Sequence, residues 1–202
     1  MQEYTTKKTY RIYADIGLLI VALIWGATFP VVKIALDNLS PFAFNTIRFT
    51  ISLLLFLPIL KLLHTKLDAK VLKVGLKIGF FVFLGYTFQT VGLEYTTATN
   101  AGFITSIYVV LTPIIAFLIY KTPFGLKDVV STFLAFLGLF LLSGYNGFNV
   151  GDILILICAV TFATEIAMIS HYSKINNPTI LAFMQIVAVA LFSAPVSLLT
   201  TT

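Results

Sequence analysis

Apolar and polar positions alternate along this chain in long blocks. Seven apolar segments, most of them about 20 residues long, are separated by short polar connections that contain proline, glycine, asparagine or lysine. A helix needs about 20 apolar residues to cross the hydrocarbon core, and backbone groups in lipid must bond within their own segment. The pattern therefore predicts seven transmembrane helices. They cover residues 15–36, 41–60, 74–93, 99–119, 128–144, 152–171 and 179–199.

The composition supports an all-α integral membrane protein. Hydrophobic residues make up 59% of the 202 residues and charged residues 10%, whereas soluble domains carry roughly 25% charged residues. The net charge of +5 does not indicate a nucleic-acid partner, because nearly all basic residues lie between apolar runs. The single cysteine, Cys158, lies inside an apolar run, so we expect no disulfide framework, metal site or cofactor. The expected surroundings are the lipid bilayer.

Basic residues fall on one side of the predicted membrane. If the helices alternate in direction, eleven Lys and Arg residues lie on the side of the N-terminus. The opposite loops carry Asp37, Glu94 and Asp152 and no basic residue. Because Lys and Arg accumulate in cytoplasmic loops, the pattern predicts a multi-pass protein of the cell (inner) membrane with a cytoplasmic N-terminus. The first span is expected to be retained, since it is too long for a signal peptide.

The beginning of the chain recurs after 137 residues. A shift by that distance aligns 14–60 with 151–197 without a gap. Five helices separate the copies, so the second copy enters the membrane from the opposite face, which is typical of an inverted-topology repeat. The aligned pairs that support the repeat are Asp15 with Asp152, Pro41 with Pro178, Pro58 with Pro195, Trp25 with Phe162 and Arg48 with Gln185.

The repeat divides the chain into two units. The first covers 14–144 and contains five predicted helices, and the second covers 151–202 and contains two. A complete second unit would end at about residue 280, so the chain is expected to correspond to seven helices of a ten-helix protein. The alternative is a natural paralogue with an odd number of helices.

Three stretches resemble the EamA unit of the drug/metabolite transporter superfamily. The opening of that unit is similar to ALIWGATFPVVKIAL, followed a few residues later by SPFAFNTIRF. Its third and fourth helices are similar to GYTFQTVGLEYTTATNAGFITSIYVVLTPIIAFLIY. The start of a second unit is similar to GDILILICAVTFATEIAMISHYSKINNPTILAFMQIVAVALFSAP. The chain departs from the family after the fourth helix, where Lys121 and Thr122 stand in place of the usual Gly-Glu pair.

The resemblance implies a secondary transporter with ten helices in two inverted five-helix units. Such a protein moves small organic metabolites, such as amino acids, related solutes or drugs, across the cytoplasmic membrane by alternating access. The resemblance also implies a central cavity lined mainly by the third and fourth helices of each unit. The chain would then contain half of that cavity, and we expect it to transport poorly by itself.

Two other functional classes stay open at this point. A non-transporting membrane subunit, or a nonfunctional fragment that lacks the last three helices, would need a partner that supplies them, and a homodimer is the other assembly to expect. A membrane enzyme would need a catalytic loop. The sequence contains no Ser/His/Asp arrangement, HExxH motif or phosphate-binding glycine loop, so we expect no enzymatic activity.

Charged side chains inside the spans are the first candidates for a transport site, because they are costly at membrane depth and usually face a cavity. Arg48 lies about 10 Å below the start of the second span. It either attracts an anionic or zwitterionic substrate or extends to the interface or to neighbouring carbonyls. Lys33, near the end of its span, is expected to extend to the interface. Glu165 either couples transport to protons or pairs with Lys174 or a polar group. Gln185, aligned with Arg48, is a weaker candidate for substrate binding.

Polar stripes on the third and fourth spans form the second set of candidates. Thr105, Tyr108 and Thr112 follow one another at spacings of three and four residues, so they share a helix face. The third span adds Tyr86 and Gln89. Such residues either bind substrate or form hydrogen bonds between helices. The resemblance to the transporter family favours a cavity.

Helix breakers and small residues are interpreted as packing features. Trp25, Gly26 and Pro30 are expected to pack and bend the first span rather than to bind substrate. Pro113 follows Thr112 and allows a kink in the fourth span. Four glycines are expected to let the third span approach a neighbour closely. They are Gly75, Gly79, Gly85 and Gly92.

Overall fold

The structure is a computed structural model that describes residues 2–62, 68–123, 125–142 and 149–200. This part of the chain consists of helices and short connections and contains no β-strand, which confirms the predicted all-α class. The predicted unit boundaries at residues 144 and 202 lie outside the described residues. The helices are α1 (Gln2–Ala35), α2 (Pro41–Leu62), α3 (Ala69–Tyr95), α4 (Ala98–Ser106), α5 (Tyr108–Tyr120), α6 (Leu126–Leu142), α7 (Val150–Tyr172) and α8 (Pro178–Thr200).

Six segments are long and apolar enough to cross a membrane, so the chain is a multi-pass membrane protein. Six of the seven predicted spans are thereby confirmed. The segment predicted at 128–144 forms α6, whose 17 residues rise about 26 Å against a hydrocarbon core of about 30 Å. The six spans are Ile12–Ala35, Pro41–Leu62, Ala69–Tyr95, Ala98–Tyr120, Val150–Tyr172 and Pro178–Thr200.

Prolines and side-chain caps determine where several helices begin. α2 begins at Pro41 and α8 at Pro178. A proline suits the first helical position because its missing N–H would have no partner there. The side chain of Thr97 caps α4, since its Oγ1 accepts a hydrogen bond from Asn100 N at 3.1 Å. The prolines and polar residues between the predicted spans thus mark the first residues or the caps of helices.

The span Ala98–Tyr120 is interrupted at Ile107, which separates α4 from α5. The N–H of Ile107 donates to Ile104 O, three residues earlier, at 3.1 Å. This spacing is that of a tightened 3₁₀ turn. Pro113 lies inside α5, six residues or about 1.7 turns after Ile107. The sequence predicts a kink at Pro113. The helix is interrupted at Ile107 instead, closer to the start of the span.

α3 is the central helix and packs along both α7 and α8. Two of its glycines lie against α8 and two against α7, with no room for a Cβ atom, which confirms the prediction of close packing. A Cβ atom added to Gly75 would lie 2.5 Å from Met184 Cβ. One added to Gly92 would lie 3.0 Å from Gly151 O. A larger side chain at these positions would force the helices apart.

A buried hydrogen-bond cluster joins the end of α3 to the start of α7. Thr96 Oγ1 donates to Asp152 Oδ1 at 2.5 Å, and Asn149 N donates to Asp152 Oδ2 at 3.0 Å. Asp152 N donates in return to Asn149 Oδ1 at 3.0 Å, which completes a capping box. The carboxylate of Asp152 is 1% exposed. Asp15, which aligns with Asp152 at the 137-residue offset, lies exposed on α1.

Lys33 ties the end of α1 to the end of α3. Its Nζ donates to Leu93 O at 2.5 Å and to Glu94 O at 3.1 Å. The last carbonyls of a helix have no partner within the helix and carry partial negative charge, so a cation binds well there. The sequence analysis expected Lys33 to extend to the interface. The side chain instead caps the C-terminal end of α3.

Candidate functional site

A cavity of about 840 Å³ lies within the bundle, which is in the size range of small-molecule sites. Every span contributes to its wall, and α4 and α5 both do so. The polar lining consists of Thr28, Arg48, Tyr86, Gln89, Thr99, Thr105, Ser106, Tyr108, Glu165 and Gln185. The other aromatic lining residues are Trp25, Phe29, Phe103 and Phe162.

The structure brings most of the predicted site residues to this one cavity. One exception is Thr112, which is absent from the lining and whose Oγ1 donates to Tyr108 O, one turn earlier, at 2.7 Å. The predicted residues that do line the cavity are Arg48, Tyr86, Gln89, Thr105, Tyr108, Glu165 and Gln185.

The cavity reaches one end of the bundle and stops short of the other. Lys33 contacts the end of α3, and Thr96 contacts the start of α7, so α1 and α3 end where α7 begins. We call this end, where α2 also begins, the Ser40 end. The lining reaches Ala98 at the Ser40 end. At the opposite end Gln185 lies about 10 Å from the start of α8, at 1.5 Å per residue.

The guanidinium of Arg48 lies over two aromatic rings. Its Cζ atom is 5.0 Å from the ring centroid of Tyr86 and 5.5 Å from that of Phe49. These distances are those of cation–π contacts. No acid lies within ion-pair distance of Arg48 among the described residues. Among the residues that the structure describes, the partners of the Arg48 guanidinium at the cavity are therefore the aromatic rings of Tyr86 and Phe49.

Glu165 faces the same cavity from α7. Its Oε1 accepts a hydrogen bond from Gln185 Nε2 at 3.1 Å. In the described part of the chain no Lys or Arg pairs with this carboxylate, so of the two predicted partners it is the polar group, and not Lys174, that is found. The partner of the Glu165 carboxyl group is thus a neutral amide.

Gln89 and Thr105 link α3 to α4 at the cavity wall. Gln89 Nε2 donates to Thr105 Oγ1 at 3.4 Å. The sequence analysis left two roles open for these residues, cavity lining and hydrogen bonding between helices. Gln89 and Thr105 have both roles. Thr105 is buried, with 6% of its surface exposed.

Asn45 and Thr90 hold the backbone of Tyr86 in place. Asn45 Nδ2 donates to Tyr86 O at 3.3 Å, and the Thr90 hydroxyl lies 2.7 Å from the same oxygen and 3.2 Å from Asn45 Oδ1. Asn45 is fully buried, and sequence reasoning missed it. The sequence feature that could have identified Asn45 is its position in an apolar span, about one helical turn before Arg48. The ring held in this way contacts Arg48 on one side and Phe162, at 5.2 Å between centroids, on the other.

The interpretation of α1 as a packing element needs correction. Trp25, Gly26 and Pro30 line the cavity together with Thr28 and Phe29. A Cβ atom added to Gly26 would meet no other atom within 4 Å, so this glycine does not serve close helix packing. α1 therefore forms one wall of the candidate site.

Several pairs of residues related by the 137-residue offset line the same cavity. Trp25 and Phe162 both line the cavity, and so do Arg48 and Gln185. Two further pairs at the same offset are found there. They are Thr28 with Glu165 and Phe29 with Ile166. Phe162 and Glu165 align at this offset with Trp25 and Thr28, so the sequence alignment could have identified α1 as part of the cavity wall.

Metal-binding chemistry is not suggested by the described residues, in which no three His, Cys, Asp or Glu side chains come together. Cys158 is fully buried in α7. What the cavity does offer is one guanidinium, one carboxylate, amides, hydroxyls and aromatic faces. That set suits the binding of a small polar organic molecule.

The chain is similar in sequence to membrane transporters. Residues 12–144 match the EamA-like transporter family. A protein of Archaeoglobus fulgidus that is named an uncharacterized transporter is 63% identical over 192 residues, which are 95% of this chain and 60% of that protein. The chain thus spans 60% of the length of the curated relative it matches. No solved structure matches the chain.

Proposed function

The chain belongs to the EamA-like transporter family, and from this membership we propose that it acts in secondary transport of small organic metabolites across the cell membrane. The observation that carries the proposal is the cavity of about 840 Å³ to which Arg48 and Glu165 are both exposed. Charged groups at membrane depth are costly and mark the paths of solutes and ions. The substrate-binding residues we propose are Arg48, Tyr86, Gln89, Thr105, Tyr108 and Gln185.

We propose alternating access with a cytoplasmic N-terminus. The excess of Lys and Arg in loops on the N-terminal side supports this orientation, and it places the Ser40 end outside. The cavity reaches Ala98 at that end and stops short of the other. The conformation therefore fits a state that is open to the outside, and transport requires a second state that is open to the cytoplasm.

We further propose that 14–144 and 151–202 are a complete and a partial copy of one inverted unit. The pairs Arg48/Gln185 and Trp25/Phe162 support this proposal, because equivalent residues line one cavity. α2 and α8 also begin at equivalent prolines and pack against each other. Rocking of the two units about the cavity would expose it to either side in turn.

The proposal is tested by uptake into proteoliposomes that contain the protein expressed from its whole open reading frame. Labelled amino acids and other small metabolites are expected to enter faster than into empty liposomes. Arg48→Ala and Tyr108→Ala are each expected to lower the initial rate about tenfold or more, the effect of about 1.4 kcal/mol of lost binding.

The matched controls for these variants are Lys61→Ala and Tyr95→Ala, at exposed helix ends. Both are expected to retain uptake. If Arg48→Ala and Tyr108→Ala left the kinetics unchanged, the cavity would not be the transport site.

Glu165 is our candidate for proton coupling. Its carboxylate is held by a neutral amide, so no protein cation fixes its charge in the described part of the chain, and such carboxylates serve as proton carriers in transporters. The other titratable groups that line the cavity are Arg48, Tyr86 and Tyr108.

An imposed pH gradient is expected to change the initial rate of uptake by the unaltered protein. Glu165→Gln is expected to abolish this dependence, because the amide cannot exchange a proton, whereas the exposed Glu94→Gln keeps it. A gradient dependence that survives in Glu165→Gln would rule out this residue as the coupling group.

The second candidate function is a membrane subunit that does not transport by itself. The observation that supports this candidate is that the chain matches only 60% of the length of the Archaeoglobus fulgidus protein. Such a subunit would need a partner, either a second copy of the chain or a protein that supplies further helices. Uptake by the protein from the whole reading frame, without any partner, would exclude this alternative.

A further inference from the structure

We propose that α3 binds the headgroup of an anionic phospholipid at the end of the bundle opposite the Ser40 end. The binding groups are the ammonium groups of Lys70, Lys73 and Lys77, which we call the lysine stripe. The inference concerns the outer surface of the bundle and is independent of the solute that the cavity takes.

The lysine stripe lies on one exposed face of α3. Its members follow one another at spacings of three and four residues, so they share a helix face. All three are exposed. Gly75 and Gly79 lie against α8, and Lys77 is two residues, or about 200° around the helix, from each of them. The stripe is therefore on the side of α3 that faces away from α8.

The length of α3 places the stripe among the lipid headgroups. The helix has 27 residues, which rise about 40 Å, whereas the hydrocarbon core is about 30 Å thick. Counted back from Leu93, which precedes Glu94, the core ends about 20 residues earlier, at Lys73. Lys70 and Lys73 then lie in the headgroup layer. Lys77 lies about one turn deeper and reaches that layer with its long side chain.

The positive charge of the stripe has no counter-charge in the described part of the chain, where no carboxylate lies within ion-pair distance of its three ammonium groups. Asp68, the acid next to them in sequence, caps α3 instead, since its Oδ1 accepts a hydrogen bond from Lys70 N at 3.1 Å. Each lysine near a membrane surface strengthens the attraction of anionic lipid about fivefold. Three on one face favour a phosphate headgroup that carries net negative charge.

Aromatic rings next to the stripe favour a lipid over a soluble anion. Phe80 follows Lys77 by three residues, toward the membrane interior, and is 44% exposed. Its ring centroid lies 5.9 Å from that of Phe192 on α8 and 6.4 Å from that of Phe83. An acyl chain that extends from a headgroup at the stripe would pack on these rings. A free phosphate would make no use of them.

Native mass spectrometry tests the site, because it resolves each lipid that stays bound to the protein. The protein expressed from its whole open reading frame is titrated in detergent with phosphatidylglycerol and with phosphatidylcholine of the same acyl chains. The first phosphatidylglycerol is expected to bind at least about thirtyfold more tightly than the first phosphatidylcholine. Inorganic phosphate at millimolar concentration is expected not to displace it.

The double variant Lys73→Gln/Lys77→Gln is expected to bind phosphatidylglycerol about thirtyfold more weakly than the parent, as two lost lysines predict. Its affinity for phosphatidylcholine is expected to stay at the parent value. Lys73→Arg/Lys77→Arg keeps the charge and is expected to bind as the parent does. The control Lys121→Gln/Lys127→Gln removes the same charge from exposed positions outside α3 and is expected to keep the preference.

Equal affinity of the parent for the two lipids would overturn the inference, and is the result expected if a second copy or a further part of the chain covers the stripe. An equal loss in the control would show that net charge, and not the stripe, attracts the lipid. Displacement by inorganic phosphate would identify a site for soluble anions instead. Uptake of solutes is not part of the measurement, so a failure of the proposed transport would leave this inference standing.

Discussion

Replacement of Gly79 by valine is expected to lower the free energy of unfolding of the helix bundle by about 3 kcal/mol, or to prevent folding. A Cβ atom at this position would meet Met184 O at 3.0 Å and Gln185 Cα at 3.1 Å, and Ala188 Cβ is closer still. Met184 O and Gln185 Cα belong to the backbone of α8, which cannot rotate out of the way as a long side chain could. α3 and α8 would therefore have to separate.

Unfolding of the variant in mixed micelles with an increasing fraction of SDS measures this loss. The matched control is Gly17→Val on α1, where an added Cβ would have no other atom within 4 Å. Its expected change is about 0.5 kcal/mol or less, as for a substitution on an open helix face. If both variants lost the same stability, the effect would come from β-branching in a helix and not from helix contact.

The Gly79 contact also has a functional side. Gln185, whose Cα atom the new side chain would displace, donates to Glu165 across the cavity. Close packing of α3 on α8 therefore positions Gln185, which lines the cavity and is one of the proposed substrate-binding residues. Gly79 therefore affects both helix packing and the position of a residue that lines the cavity.

The spans could be predicted because lipid imposes a strict rule on sequence. A segment in hydrocarbon must be apolar and helical over about 20 residues, and prolines such as Pro41 and Pro178 fall where helices begin. The break at Ile107 follows no such rule. No glycine or proline marks it, so it depends on how α4 and α5 pack against their neighbours, which a single sequence does not show.

The candidate site could be predicted where its chemistry is rare in a membrane. Arg48 and Glu165 stand out because charges within spans are costly. Trp25 does not stand out, because an aromatic residue in a span has the same pattern whether it faces lipid, a helix or a cavity. Thr112 was grouped with Thr105 on the assumption of one uninterrupted helix, and the break at Ile107 removes that assumption.

The buried polar groups show the same limit of sequence reasoning. Asp152 and Asp15 align in the sequence at the 137-residue offset, and only their tertiary contacts distinguish them. Asp152 accepts hydrogen bonds from Thr96 and Asn149 in a buried cluster, while Asp15 is exposed on α1. Which of the two aspartates stabilises the fold therefore follows from burial, and their sequence alignment does not show it.

Asp152→Ala is accordingly expected to lower the free energy of unfolding by about 3 kcal/mol. The buried hydroxyl of Thr96 would lose its acceptor, and an unpaired buried donor costs about 1–3 kcal/mol. Asn149 N would also lose its acceptor, Asp152 Oδ2, whereas Asn149 Oδ1 would still accept from the backbone N–H of residue 152, so half of the capping box would remain. Because Thr96 and Asp152 join α3 to α7, the helices that carry Tyr86 and Glu165 would also become less firmly held together.

SDS unfolding of four variants separates these contributions. Asp15→Ala, the substitution at the position aligned with Asp152 at the 137-residue offset, is expected to change stability by about 0.5 kcal/mol or less, because Asp15 is exposed. Thr96→Val combined with Asp152→Ala is expected to be more stable than the sum of the single losses predicts, since no hydroxyl is then left unpaired. Strictly additive losses, or equal losses for Asp15→Ala and Asp152→Ala, would show that the buried Thr96–Asp152 hydrogen bond does not hold α3 to α7.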